Sequence, residues 1–189
     1  MRVAPQPRFT TLKGFLKWKP EDRYKYEWNK GKIEKTYNMK QLEFLILRTL
    51  SNLFLRTSFH KRGDCLVPEG DVLTSPNQLR RPDLAYYTNE QIIRAAQGHN
   101  QIPTFIIEIV SPNDNQIQLA AKVLEYFEAG VGVVWLVMPS IKQVHVYKSL
   151  KQMEVCINND VCSASPVLAD YQIAVDELFI QPQLSPILS

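Results

Sequence analysis

Thr104-Phe-Ile-Ile-Glu-Ile-Val110 decides the fold, because it has the pattern of a central strand in a sheet. Its β-branched and aromatic residues occupy both alternating positions, as is typical of a strand covered on both faces. Glu108 interrupts the apolar run, and a buried carboxylate is costly unless a metal, a cation or hydrogen-bond donors meet it. The segment therefore predicts a layered core and a charged site inside it.

A second acid, Asp83, stands upstream in Arg80-Arg-Pro-Asp-Leu-Ala-Tyr-Tyr87. Proline fixes φ and donates no hydrogen bond, so Pro82 predicts that Asp83 lies where a strand begins, as a turn residue or as a metal ligand. Two adjacent carboxylates raise at least one pKa unless a cation neutralises them, and Mg²⁺ commonly binds one or two carboxylates plus substrate phosphate. For Glu108 the alternative is a structural ion pair with Arg or Lys.

The rest of the chain predicts a mixed α/β sandwich. The expected elements are a hairpin of residues 24–28 and 32–37, helices over 39–56, 89–97 and 116–129, and strands within 64–67, 71–74, 133–137 and 144–147, besides those of the two acids. No repeat or linker divides residues 1–189, so we expect a single domain in which residues 1–8 and 181–189 are loosely held.

Composition and charge narrow the class of protein. No apolar stretch approaches the roughly 20 residues that a membrane span needs, and residues 1–8 contain no apolar signal segment. We expect a cytoplasmic protein in which Cys65, Cys156 and Cys162 are reduced thiols. Residues 1–62 carry 15 Lys/Arg against 5 Asp/Glu, and residues 63–189 carry 7 against 14. This asymmetry indicates either a polyanion-binding surface beside a carboxylate site or a solvated lysine-rich surface.

Two charged residues on predicted helices have two interpretations each. Lys122 shares a helix face with Tyr126 at i+4, and it either reaches the sheet or lies on the surface, which periodicity alone favours. Glu43 shares a face with Ile46 and Leu50. It is either a favourable acid at a helix N-terminus or a member of the site.

An ordered set of short motifs carries a family resemblance. The chain contains, in order, Tyr26-Glu27 with Gly31, Arg81-Pro-Asp-Leu-Ala85, Ile107-Glu-Ile-Val-Ser-Pro112, Lys122 with Tyr126, and Gly130-Val131 before Trp135-Leu-Val137. The set resembles the Uma-two family of restriction-endonuclease-like proteins, in the PD-(D/E)XK nuclease superfamily. The resemblance implies a restriction-endonuclease-like core, a central mixed β-sheet flanked by helices.

The resemblance also implies a site. Asp83 and Glu108 would bind Mg²⁺ or Mn²⁺, with the backbone carbonyl of Ile109 completing the site. Lys122 matches the family's catalytic lysine on the helix, and Glu43 matches a polar position of the first core helix, where it would be a further metal ligand.

The implied activity is metal-dependent hydrolysis of DNA phosphodiester bonds. Arg80 and Arg81, with lysines of the N-terminal half, would contact backbone phosphates without reading sequence. Cutting both strands needs two active sites, so we expect a homodimer.

Several positions differ from the family pattern. Val110 stands where the superfamily's basic form has a lysine, and the family's Asp, acidic turn and Gly-Glu pair are replaced by Gln118, Met138-Pro139 and Gly31-Lys32. These differences and the charge asymmetry leave a second hypothesis open, a nuclease-fold protein without catalysis that binds nucleic acid or protein. A third is a metal-dependent hydrolase of another substrate, since a fold does not determine a substrate.

Overall fold

A computed structural model describes residues 10–22, 24–36, 43–112 and 114–180, which form six helices and three sheets. The elements are α1 (Leu12–Lys17), β1 (Lys25–Asn29), β2 (Lys32–Thr36), α2 (Glu43–Phe54), α3 (Ser58–Lys61), β3 (Cys65–Val67), β4 (Val72–Ser75), β5 (Gln78–Arg80), β6 (Leu84–Tyr87), α4 (Asn89–Ala96), β7 (Phe105–Ile109), α5 (Gln116–Ala129), β8 (Val133–Met138), β9 (Gln143–Ser149), β10 (Gln152–Ile157), β11 (Val161–Ala164), β12 (Leu168–Ala174) and α6 (Val175–Leu178).

A six-stranded mixed sheet forms the centre of the fold, in the order β10-β9-β8-β7-β6-β3. β7 pairs parallel with β8 and antiparallel with β6, and all five of its residues are buried. Phe105 and Ile107 pack on the face that contacts α2 and β12, whereas Ile106 packs on the face covered by α5. The prediction of a central strand covered on both faces is confirmed, and so is the mixed sheet flanked by helices.

A four-stranded sheet, β2-β1-β5-β4, forms a second layer. Its apolar face packs Tyr26, Trp28 and Leu79 against Phe15 of α1. Because side chains alternate along a strand, the opposite face carries the polar residues. Among them Glu27 lies directly opposite Glu34 on the neighbouring strand. Glu27 is nevertheless only 1% exposed, so this sheet has a buried face made of charged groups.

Local sequence signals explain the elements that flank the central strand. The predicted helix over 116–129 is α5, which begins where the Asn115 side chain accepts hydrogen bonds from two backbone N–H groups. It ends at Gly130, whose φ of +104° is the left-handed conformation that glycine adopts without strain. The hairpin β1–β2 is also confirmed. The predicted helix over 39–56 is observed as Glu43–Phe54.

Some expectations were incomplete, and some lie outside the described residues. The sequence did not indicate α1, α3, α6, β5, β10, β11 or β12. Residues 1–8 and 181–189, which we expect to be loosely held, lie outside the described ranges. Residues 39–42 of the helix predicted over 39–56 also lie outside them. The three cysteines have free thiols. Within the described ranges, no helix is long and apolar enough to cross a membrane.

Candidate active site

Asp83, directly before β6, lies beside Glu108 of the neighbouring strand β7. β6 and β7 pair with Leu84 opposite Ile107, and continuing that register places Asp83 opposite Glu108. Residues directly opposite each other point to the same face of a sheet. That face is covered by α5, where the Tyr126 hydroxyl donates a hydrogen bond to Glu108 Oε1 over 2.5 Å. Asp83 Oδ2 accepts a hydrogen bond from the Ile109 backbone N–H at 2.7 Å, so the two acids share one buried site.

Each acid is paired with a lysine. Lys25 Nζ of β1 lies 2.8 Å from Asp83 Oδ1, and Lys122 Nζ of α5 lies 2.9 Å from Glu108 Oε1. Lys122 also lies 2.9 Å from Glu27 Oε1, which places its ammonium between two carboxylates. The side chain of Lys122 is 13% exposed, so the surface position that periodicity favoured is wrong and the residue reaches the sheet.

Burial and mutual charge determine the protonation of these groups. Burial raises the pKa of Glu108, and the charge of Asp83 raises it further, while Lys122 and Lys25 oppose the rise. Burial lowers the pKa of Lys122, but the carboxylates of Glu108 and Glu27 outweigh this and hold it above its ordinary value. The same balance with Asp83 and Glu108 raises the pKa of Lys25. Both lysines therefore stay charged at neutral pH.

Arg80 lies behind Lys122 and is surrounded by carboxylates. Its guanidinium lies 3.1 Å from Glu27 Oε2 and 2.6 Å from Glu125 Oε2, and it also pairs with Glu34. Glu125 accepts a further hydrogen bond from Gln78 at 2.8 Å. The Arg80 side chain is 4% exposed. In this conformation the donors of Arg80 neutralise buried acids, and its expected contact with phosphates stays a prediction.

Arg81 and Glu43 occupy different surroundings. Arg81 is 27% exposed in its side chain and pairs with Asp71 at 2.6 Å, so it lies at the surface beside the site. Glu43 begins α2, whose buried side chains pack on the face of the sheet opposite Glu108. Across the described ranges, no three His, Cys, Asp or Glu side chains are grouped to hold a metal ion. The structure therefore does not bring Glu43 together with Asp83 and Glu108.

The sequence did not indicate a role for Lys25, and Glu27 entered only as part of a motif. Both lie on β1, where they alternate with the core residues Tyr26 and Trp28. Strict alternation of charged and aromatic residues is the signal of a strand with a polar face. It could have indicated that Lys25 and Glu27 share that face. It could not have shown that the polar face is buried against α5.

The donor set fits one hard divalent cation held by few protein ligands. Mg²⁺ commonly takes one or two carboxylates and completes its shell with water and substrate oxygens. The three cations Lys25, Arg80 and Lys122 pair with six carboxylates, namely those of Glu27, Glu34, Glu69, Asp83, Glu108 and Glu125. Carboxylates therefore outnumber cations around the site, and a divalent cation beside Asp83 and Glu108 would offset part of this excess.

Glu27 should make the stability of the protein depend on pH. Burial alone would raise the pKa of Glu27, but the charges of Lys122 and Arg80 lower this pKa from 4.5 to about 2. Because this folded-state pKa is depressed, ionised Glu27 stabilises the fold by on the order of 3 kcal/mol at pH values above its unfolded-state pKa. This contribution is lost as the pH falls from about 4.5 toward 2. Urea unfolding at a series of pH values should show a steeper loss in the wild type than in Glu27→Gln.

The matched control for this measurement is Glu90→Gln. Glu90 is an acid of α4 whose side chain is 73% exposed in a surface pair with Arg94. This variant should keep the pH dependence of the wild type. Parallel curves for Glu27→Gln and the wild type would contradict the assignment.

Comparisons with known proteins agree with this architecture. A family model named Uma2 and described as "Putative restriction endonuclease" matches residues 12–176. Among solved structures, the chain is similar to a crystal structure described as a "putative nuclease belonging to DUF820" from Anabaena variabilis ATCC 29413. The TM-score is 0.75 at 24% identity, over 89% of this chain and 97% of that chain. Among curated proteins nothing matches. Because the family model spans most of the sequence, the chain belongs to the Uma2 family.

Proposed function

We propose that the protein is a metal-dependent endonuclease that hydrolyses DNA phosphodiester bonds. The observation that carries the proposal is the pair of Asp83 and Glu108 on one buried face of the sheet, with Lys122 Nζ 2.9 Å from Glu108. The family's description as a restriction endonuclease and the description of the similar structure as a nuclease support the same class of reaction.

The residues would divide the work as follows. Asp83 and Glu108 would hold Mg²⁺ or Mn²⁺, with the Ile109 carbonyl as a further ligand. When bound, the metal supplies a Lewis acid for the scissile phosphate and an activated water. Lys122 stays charged, so its ammonium can stabilise negative charge on the phosphoryl oxygens or orient the attacking water. The Tyr126 hydroxyl fixes the direction of the Glu108 carboxylate.

Exposed lysines lie on the hairpin and on α1. The hairpin that supplies Lys25 and Glu27 also carries exposed Lys32 and Lys35, and α1 on its other face carries exposed Lys13 and Lys17. These residues are proposed phosphate contacts, together with Arg81. Such contacts supply salt-dependent affinity without reading sequence. Because double-strand cleavage needs two sites, we propose that the active species is a homodimer.

The test is cleavage of supercoiled plasmid by the purified full chain. With Mg²⁺ or Mn²⁺ we expect nicked and linear products, and with a chelator we expect neither. The melting temperature should rise with Mn²⁺, because a ligand at 100 times its Kd stabilises the folded state by about 2.7 kcal/mol. Intact plasmid together with an unchanged melting temperature would refute the proposal.

One observation favours a second candidate function, nucleic-acid binding without catalysis. Both carboxylates are already paired with buried lysines, and the described part of the chain has no three-ligand metal group. A protein of this kind would bind DNA in a salt-sensitive manner, and neither binding nor melting would respond to Mn²⁺. The same plasmid and melting experiments distinguish the two functions.

A further inference from the structure

Lys25 contacts the Asp83 oxygen that is not bonded to the backbone of Ile109. Its Nζ lies 2.8 Å from Oδ1, while Oδ2 accepts the backbone N–H of Ile109 at 2.7 Å. The N–H group belongs to the central strand and is fixed by its sheet pairing. Lys25 has a flexible four-carbon stem, so Oδ1 is held by a donor that can move.

A second carboxylate lies within reach of the same ammonium. Glu69 Oε1, in the loop between β3 and β4, is 3.9 Å from Lys25 Nζ, and the Glu69 side chain is 46% exposed. The Glu69 backbone N–H donates to the carbonyl of Pro82 at 3.1 Å, so this loop is tied to the residue before Asp83. A small rotation of the lysine would transfer its charge from Asp83 to Glu69.

Among the described residues, the other lysine of the site forms ion pairs only with buried carboxylates. Lys122 pairs with the carboxylates of Glu27 and Glu108, and both are buried, with side chains 1% and 9% exposed. Glu27 is itself held by Arg80 and by the backbone N–H of Arg81 at 2.9 Å. Lys122 is therefore fixed between rigid partners, whereas Lys25 lies between a buried acid and an exposed one.

We propose that Lys25 holds the Asp83 carboxylate in the metal-free protein and moves to Glu69 when a divalent cation binds, so that it sets the metal affinity of the site. An ammonium and a divalent cation would compete for Asp83 Oδ1, because like charges close together repel each other strongly in a buried site. The inference rests on the metal-binding part of the proposed function.

The first test is Mn²⁺ binding by the full chain, measured from the electron paramagnetic resonance signal of free Mn²⁺. Lys25→Met should bind Mn²⁺ about tenfold more tightly than the wild type, the scale on which groups around metal ligands change affinity. Glu69→Gln should bind it more weakly, because the displaced ammonium loses its acceptor. Lys151→Met removes the same charge from the exposed turn between β9 and β10 and should bind Mn²⁺ as the wild type does. Unchanged or weaker binding by Lys25→Met would overturn the proposal.

The second test uses the wild type alone and stays valid if Lys25→Met fails to fold. Acetylation of each lysine amine is followed by mass spectrometry with and without saturating Mn²⁺. Lys25, whose side chain is 8% exposed, should react slowly without metal and faster with it, while Lys32 should react equally in both. An unchanged rate at Lys25 while Mn²⁺ binds would overturn this inference and leave the nuclease proposal standing. If neither the wild type nor Lys25→Met binds Mn²⁺, both fail.

Discussion

Replacing Glu108 by Gln should reduce plasmid cleavage by at least about 10²–10³-fold, the scale on which loss of one preorganised polar group lowers catalysis. The amide keeps the size of the side chain but removes the charge that would bind the metal and pair with Lys122. Asp83→Asn should have a similar effect, because Asp83 supplies the opposite half of the pair. The measurement is the initial rate of plasmid relaxation with Mg²⁺.

The Glu108→Gln variant should remain folded, which makes its loss of rate interpretable. Burial already raises the pKa of Glu108, so removing its charge relieves a desolvation cost. Lys122 keeps its second partner, Glu27, at 2.9 Å. Glu128→Gln changes an exposed acid on α5 and serves as the control, with the wild-type rate and melting temperature expected. Cleavage by Glu108→Gln at the wild-type rate would exclude Glu108 from the chemistry.

The fold could be predicted where periodicity is strong. β7 is apolar on both faces, and α5 has a helical apolar face between Asn115 and Gly130, so their bounds were nearly those observed. β10 could not be predicted in the same way, because Cys156 is its one buried residue and the rest of the strand is exposed. β5 has three residues, and its buried Arg80 resembles a surface residue in sequence.

The site was predictable in its acids and not in its cations. Pro82 and the apolar run around Glu108 are local signals, and they placed both acids on adjacent strands. Whether a lysine or arginine is buried depends instead on partners far away in the chain. Lys25 is 58 residues from Asp83, and Arg80 is 45 residues from Glu125. The sequence alone therefore could not distinguish these buried cations from the exposed basic residues around them, and Lys122 was identified only through the family resemblance.

Arg80→Met should destabilise the protein by about 3–5 kcal/mol, because removing one partner of a buried ion pair leaves uncompensated charge. Methionine preserves much of the apolar stem but leaves Glu27, Glu34 and Glu125 without the guanidinium that they share. The free energy of unfolding is measured in urea. Arg94→Met is the control, because its pair with Glu90 is exposed and such pairs contribute about 0–1 kcal/mol. Equal losses in the two variants would contradict the assignment.

A double variant separates loss of charge balance from loss of packing. Glu125 accepts hydrogen bonds from both Nε and Nη2 of Arg80, and its side chain is 8% exposed. Arg80→Met combined with Glu125→Gln removes one of the carboxylates that the single variant leaves unpaired, so part of the lost stability should return. A double-mutant cycle between contacting charged residues typically gives a coupling energy of about 0.5–3 kcal/mol. Additive effects would mean that Arg80 stabilises the second sheet through its apolar stem. A positive coupling would mean that the sheet is held to α5 by charge, next to the site where Lys122 and Glu108 meet.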